Sequence, residues 1–350
     1  MLSAGIIDVA ATSLSADEKA FFKDAQPWAF ILFGRSCQTP DQIRALTDEI
    51  REAVGRHCLI FLDQEGGRVQ RLKPPIWPQF PPNNIYGALY NSDKEKAIEA
   101  VVLHHQLIAY ELRNVGIDAD CAPCLDLGLE GAHSVIGDRA FSSYPQIIGE
   151  LGQAAIKGLH SGSVASVIKH IPGHGRALAD SHHELPVVDA SIEELEMDIA
   201  PFLALKDAPM AMTAHVKYPV LDAQNCATLS SKVISEIIRT KIGFDGLLMT
   251  DDVSMKALSG NDADKAKASI NAGCDVAMLC NQPLEARIKF IEACGELKGK
   301  SLERAKIAEA IATKKPDDFD FDAAWHRFTE LTGIENGAKL ALAADPTERL

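Results

Sequence analysis

CLIFLDQEGGRVQR, residues 58–71, opens as an apolar run and turns polar within one residue, at Asp63. A short apolar run of this kind suits a strand buried on both faces, and Gly66-Gly67 signals a turn just past its end. The pattern recurs along the chain. Candidate strands are GIIDV (5–9), WAFILFG (28–34), CLIFLDQEG (58–66), GIDADCAPCLDL (116–127), VASVIKH (164–170), APMAMTAHV (208–216), GLLMTDD (246–252) and CDVAMLC (274–280). Amphipathic stretches lie between them, with helix starts at Thr39-Pro40, at Ser92-Asp93 and at the capping-box spacing of Ser191 and Glu194.

Eight apolar strands alternating with helices predict an α/β fold, a TIM-type (β/α)8 barrel with right-handed crossovers. An open doubly wound sheet has the same periodicity, but no G-x-G-x-x-G follows the first strand. We expect one domain over residues 1–350, with the barrel core at about 1–281 and C-terminal helices in 282–350 that close and cover the barrel. EARIKFIEACGEL, SLERAKIAEAIATKK and AWHRFTELTG carry those helices.

The chain has 350 residues, 47% hydrophobic and 24% charged, with a net charge of −14. That acidity disfavours nucleic acid and anionic membranes as partners. The N-terminus lacks a basic n-region and a signal-type cleavage site, and no apolar run approaches the ~20 residues that cross a bilayer. A soluble, cytoplasmic monomer is expected. The eight cysteines are read as reduced core residues, and the Cys121-x-x-Cys124 spacing as coincidence, because no second pair follows it.

In such a barrel the working groups project from the C-terminal ends of the strands. Those ends read Asp63 to Arg68, Lys169-His170, Thr213 to His215 and Thr250-Asp251-Asp252, with Asp138-Arg139 in the long connection after the fourth strand. Mixed carboxylates and cations suit a polyhydroxylated ligand, whose hydroxyls both donate and accept. Asp252 alone is read as the start of a helix near VSMKAL. KHIPGHGRALADSHHELP (169–186) is rich in His, Gly and Pro and is read as a loop. His170, His174, His182, His183 and Glu184 offer a metal-binding reading, yet no H-E-x-x-H spacing supports it. The preferred reading is proton transfer by His182 with Asp180 behind it.

Five ordered motifs resemble glycoside hydrolase family 3, in its single-domain bacterial β-N-acetylglucosaminidase branch: Asp63 to Arg71, Gly137 to Phe141, Lys169 to Gly175, Asp180-Ser181-His182 and Thr250 to Met255. The resemblance implies a retaining β-N-acetylhexosaminidase with Asp251 as nucleophile and His182, assisted by Asp180, as acid/base. It implies that Asp63, Arg71, Arg139, Lys169 and His170 hold the sugar, that no metal or cofactor is needed, and that the substrates are muropeptide fragments carrying N-acetylglucosaminyl-1,6-anhydro-N-acetylmuramic acid. A histidine in place of the second carboxylate departs from the usual glycosidase pair. Within the family this fits a chain that ends soon after its barrel, where larger relatives take the acid/base from a second domain. The alternatives are a glycoside phosphorylase on the same barrel, a metal-dependent hydrolase using loop 170–184, and a silent sugar-binding barrel.

Overall fold

Each of the eight apolar runs forms a strand, and together they close on themselves. The computed structural model describes residues 1–340 and 342–346. Its strands are β1 (Ser3–Asp8), β2 (Pro27–Ile31), β3 (Ile60–Leu62), β4 (Gln64–Gly66), β5 (Val69–Gln70), β6 (Ala119–Asp120), β7 (Ala165–Ile171), β8 (Met210–Thr213), β9 (Leu247–Asp252) and β10 (Val276–Leu279). β4 and β5 form a separate antiparallel hairpin, and the other eight make a closed parallel barrel in the order β1-β10-β9-β8-β7-β6-β3-β2. The TIM-type expectation holds and the open sheet is excluded, because β1 pairs with both β2 and β10.

Every residue of β1, β2, β7 and β10 is buried, which is why these strands read as continuous apolar runs rather than alternating ones. α1 (Ala16–Ala25), α2 (Pro40–Val54), α3 (Asn84–Ser92), α4 (Lys94–Asn114), α5 (Pro145–Ser161), α6 (Ile192–Ala204), α7 (Asp262–Ala272) and α8 (Leu284–Cys294) form the outer layer, together with a π-helix at Val233–Lys241. The start signals act as read: Thr39 Oγ1 accepts from Gln42 N, Asp93 from Lys96 N, and Ser191 and Glu194 complete a capping box.

α8 packs on β1 and β10 and so serves as the eighth barrel helix. α9 (Gly299–Ala312) and α10 (Phe321–Thr332) follow it, and residues 341 and 347–350 of the expected C-terminal segment lie outside the described residues. α9 seals the N-terminal end of the barrel. Trp28 Nε1 at the start of β2 donates to Glu309 Oε1 at 2.7 Å, and Arg304 Nη1 meets Asp275 Oδ1 at 2.9 Å just before β10. α10 packs on α4. All eight cysteines are buried and free. Among the described residues no helix is long and apolar enough to cross a membrane.

Candidate active site

The strand ends converge because the segment after β3 folds back. Gly66 and Gly67, with φ of +91° and +58°, turn the β4–β5 hairpin in a backbone region that favours glycine. Gln64 holds the hairpin shut: its Oε1 accepts from Arg71 N and Leu72 N at 2.9 and 3.0 Å. Its own N–H donates to Asp120 Oδ1 at the end of β6, at 2.9 Å. Burial pushes the Asp120 carboxyl up to about 8, and the Gln64 N–H only partly offsets it. The hairpin thereby aims Asp63, Glu65 and Arg71 towards the barrel mouth.

There the charges alternate. Arg71 Nη2 lies 3.1 Å from Asp63 Oδ2, Lys169 Nζ lies 3.0 Å from Asp63 Oδ1 and 2.5 Å from Glu65 Oε1, and Arg139 grips Glu65 with Nε and Nη2 at 2.9 and 2.8 Å. Burial opposes ionisation of both carboxyls. Lys169 and Arg71 nevertheless hold Asp63 well below the usual carboxylate range, and Arg139 with Lys169 holds Glu65 at about 2. Each buried charge is thus partnered and fixed, the condition under which such a network is tolerated.

A second carboxylate sits behind His170. Asp126 Oδ2 accepts from His170 Nδ1 at 2.6 Å, while Oδ1 accepts from His174 N at 2.6 Å. Cys124 Sγ also donates to Asp126, at 3.3 Å. Cys124, Asp126 and His170 are the one group of potential metal-ligand side chains clustered among the described residues. Their donor atoms already satisfy one another, and burial raises the Cys124 thiol well above its ordinary value, so the trio fits a hydrogen-bond network better than a metal cage.

The loop after β7 begins three residues later than its sequence suggests, since Lys169, His170 and Ile171 belong to the strand. It is tied down along its length. Gly175 rests on the backbone of Leu127, where a Cβ would lie 2.4 Å from the carbonyl oxygen, and Arg176 Nε meets Asp198 at 2.5 Å. Asp180 Oδ1 accepts from both the backbone N–H and the Nδ1 of His182, at 2.9 and 2.6 Å. Burial would raise the Asp180 carboxyl, but these two bonds bring it down to about 2. An ionised carboxylate only accepts, so Nδ1 carries the hydrogen and Nε2 is left for chemistry. His183, by contrast, is exposed and lies 4.0 Å from Asp180.

Asp251 and His182 line one pocket, of about 570 Å³, together with Asp63, Glu65, Arg139, Lys169 and His170. Arg71 stands behind Asp63 and Asp180 behind His182. Burial raises the Asp251 carboxyl, yet His215, His170, His182 and the Asp252 N–H together bring it below its ordinary value. Asp252 does not start a helix. Its Oδ1 accepts from Ser254 N and Cys280 N at 2.9 and 3.0 Å, and its Oδ2 from Ser254 Oγ, which stitches the end of β9 to β10. The helix that follows begins at Asp262 instead, capped by Asn261. Buried His215 donates through Nε2 to Asp252 O at 3.0 Å and so fixes the backbone beside Asp251.

Glu65, Asp126, Asp120 and His215 were not singled out from sequence as site residues. For Asp120 and Asp126 the available signal was a carboxylate inside an otherwise apolar run, a costly placement unless partners are waiting.

Residues 4–312 match the Glycosyl hydrolase family 3 N terminal domain. The chain belongs to glycosyl hydrolase family 3. It is 39% identical over 283 residues to a beta-hexosaminidase of Thiobacillus denitrificans, covering 79% of this chain and 78% of that one. A beta-hexosaminidase of Methylobacillus flagellatus is 35% identical over 334 residues, or 92% and 94% of the two chains. NagZ from Neisseria gonorrhoeae, solved in complex with N-trifluoroacetyl-D-glucosamine, superposes with a TM-score of 0.78 at 31% identity, over 95% of this chain and 99% of that one. The protein is a glycoside hydrolase of the β-N-acetylhexosaminidase type.

Proposed function

We propose that the enzyme is a retaining exo-β-N-acetylglucosaminidase in which Asp251 is the nucleophile and His182 the acid/base. The observation that carries this reading is the sharing of one pocket by an anionic Asp251 and a His182 whose Nδ1 is held by ionised Asp180. In the first step an Asp251 oxygen attacks the anomeric carbon, the glycosidic C–O bond breaks, and the departing oxygen takes the proton from His182 Nε2. In the second, a water gives its proton to Nε2 while its oxygen displaces Asp251 from the anomeric carbon. Two inversions give net retention.

The array of Arg71, Asp63, Lys169, Glu65 and Arg139, with His170, supplies fixed donors and acceptors for sugar hydroxyls, so binding costs little reorganisation. The solved relative that holds N-trifluoroacetyl-D-glucosamine supports an N-acetylglucosamine-type ligand for this pocket. On the same family likeness we assign muropeptide fragments, N-acetylglucosaminyl-1,6-anhydro-N-acetylmuramic acid and its peptides, as substrates. A cytoplasmic monomer acting in cell-wall recycling is the corresponding cellular reading.

Product analysis by proton NMR tests the assignment. Cleavage of an aryl β-N-acetylglucosaminide should release the β-anomer first, in phosphate buffer as in phosphate-free buffer. Initial α-anomer would contradict retention, and N-acetylglucosamine 1-phosphate appearing only in phosphate would identify a phosphorylase.

A further inference from the structure

We infer that Ser181, the residue between Asp180 and His182, is the positioning residue that holds this pair in place against Asp251, acting through a hydrogen bond with His174. This rests on the proposed reading of His182 as the acid/base.

Asp180 and His182 fix each other but not their place in the barrel. Their hydrogen bond lies within a single turn, in which Asp180 O also accepts from His183 N and Glu184 N at 2.9 and 3.1 Å, so the pair moves as one body with that turn. Among the described residues, two hydrogen bonds tie residues 180–184 to the rest of the protein, and Ser181 makes both. Its carbonyl accepts from Ala257 N at 3.2 Å, and its Oγ lies 3.3 Å from His174 Nε2.

The two bonds run to different strands. His174 follows β7, and its N–H donates at 2.6 Å to Asp126, the carboxylate that also holds His170 Nδ1 at 2.6 Å. Ala257 follows β9, the strand that carries Asp251, in a segment where Asp252 O accepts from Met255 N at 3.1 Å. Ser181 thus slings the Asp180–His182 pair between the strand proposed to hold the sugar and the strand of the proposed nucleophile.

Ser181 and His174 are 4% and 3% exposed, so water does not compete for the bond between them. Burial pushes the His174 imidazole down to about 4, which leaves the ring neutral near pH 7 with one N–H. Nδ1 has no partner among the described residues and Nε2 has Ser181, so the hydrogen sits on Nε2 and His174 donates to Ser181 Oγ. Loss of the hydroxyl leaves Asp180 and His182 paired but frees their turn to shift against Asp251. A proton donor displaced from the departing oxygen loses effect steeply with distance.

The test compares phenyl and 2,4-dinitrophenyl β-N-acetylglucosaminides on wild type, S181A, H174L, the double variant and H182A. Phenolate needs a proton as it leaves and dinitrophenolate does not, whereas a general structural defect slows both glycosides alike. S181A should lose about tenfold or more in kcat/KM with the phenyl glycoside and less than about twofold with the dinitrophenyl one, and H174L should do the same. The double variant should be no worse than the poorer single, because both changes remove one bond. Equal losses on the two glycosides, no loss on either, or additive losses in the double variant overturn the inference. S181A, which trims a single hydroxyl, decides alone if H174L does not fold. A selective loss in H182A without one in S181A means that this inference alone has failed. Without a selective loss in H182A the acid/base reading itself has failed, and this inference falls with it.

Discussion

His182 has two ring nitrogens with different tasks, and that asymmetry is the smallest unit of the proposed mechanism. Asp180 takes Nδ1, fixing the tautomer and the ring plane, and leaves Nε2 to give and take the proton. A donated proton matters most when the departing oxygen is a poor leaving group, so His182→Ala should penalise a natural disaccharide by ~10²- to 10⁴-fold in kcat/KM. An aryl glycoside with an acidic phenol should lose far less and should show a burst, since deglycosylation still lacks its base. Steady-state and stopped-flow assays on both substrates check this. Equal losses without a burst would return the role to His174 or His183. The pairing of Asp180 with His182 rather than His183 was legible in the Asp180-x-His182 spacing. The internal wiring of Glu65, Asp126 and His215 was not, because each works through a partner distant in sequence: Arg139 lies 74 residues from Glu65, and His170 lies 44 from Asp126.

At the scale of elements, Asp251, the proposed nucleophile, is held by a stitch between two strands rather than by a helix cap. Asp252 accepts from Ser254 and Cys280 while buried beside Asp251, and burial, reinforced by the Asp251 charge, outweighs those bonds and lifts its carboxyl to about 7. A carboxyl raised on folding binds its proton more tightly in the native state. Its contribution to stability is therefore full below the unfolded value of ~3.9 and is lost as pH rises through about 7. Asp252→Asn imitates the protonated form and keeps an oxygen for the two N–H donors. Its Tm relative to wild type should climb between about pH 4 and pH 7 and then level off. Calorimetry across that range checks it, and a constant difference would contradict the assignment. The sequence reading placed a helix after Asp252 because Asp is a good N-cap, and only the approach of β10 decides otherwise. The strand ends were similarly blurred. GIDADCAPCLDL looks like one long strand, but the regular strand covers only Ala119–Asp120 and pairing resumes as a single bridge from Cys124 to Lys169, past Pro123, which cannot donate to a ladder.

The whole molecule divides its labour between the two ends of the barrel. The C-terminal end carries the pocket, and the N-terminal end carries a knot around Asp275, which accepts from Arg239, Arg304, Ser301 and the Leu248 N–H. That knot ties α9 and the π-helix to β9 and β10. Asp275→Ala removes one member of a buried charged cluster and should cost ~3 kcal/mol or more of stability. Its kcat/KM at 25 °C should stay within about twofold of wild type, because chemistry and stability occupy opposite faces of such a barrel. Thermal melts and assays on the same sample check both halves, and a large loss of kcat/KM in a folded variant would contradict the division. The barrel itself was legible from eight apolar runs and the helices between them. The meeting of Arg71 with Asp345, 274 residues further on, was not, since no local pattern reports which termini return to a groove.

The central claim is that Asp251 becomes covalently bonded to the sugar. Incubation with a 2-fluoro or 5-fluoro analogue of the aminosugar substrate slows the second step and should leave one glycosyl group on the protein. Peptide mass spectrometry should then place that group on the Asp251 side chain of the wild-type enzyme, with no adduct on Asp251→Ala. A label on another carboxylate, or turnover of the analogue with inversion and no adduct at all, would contradict the account.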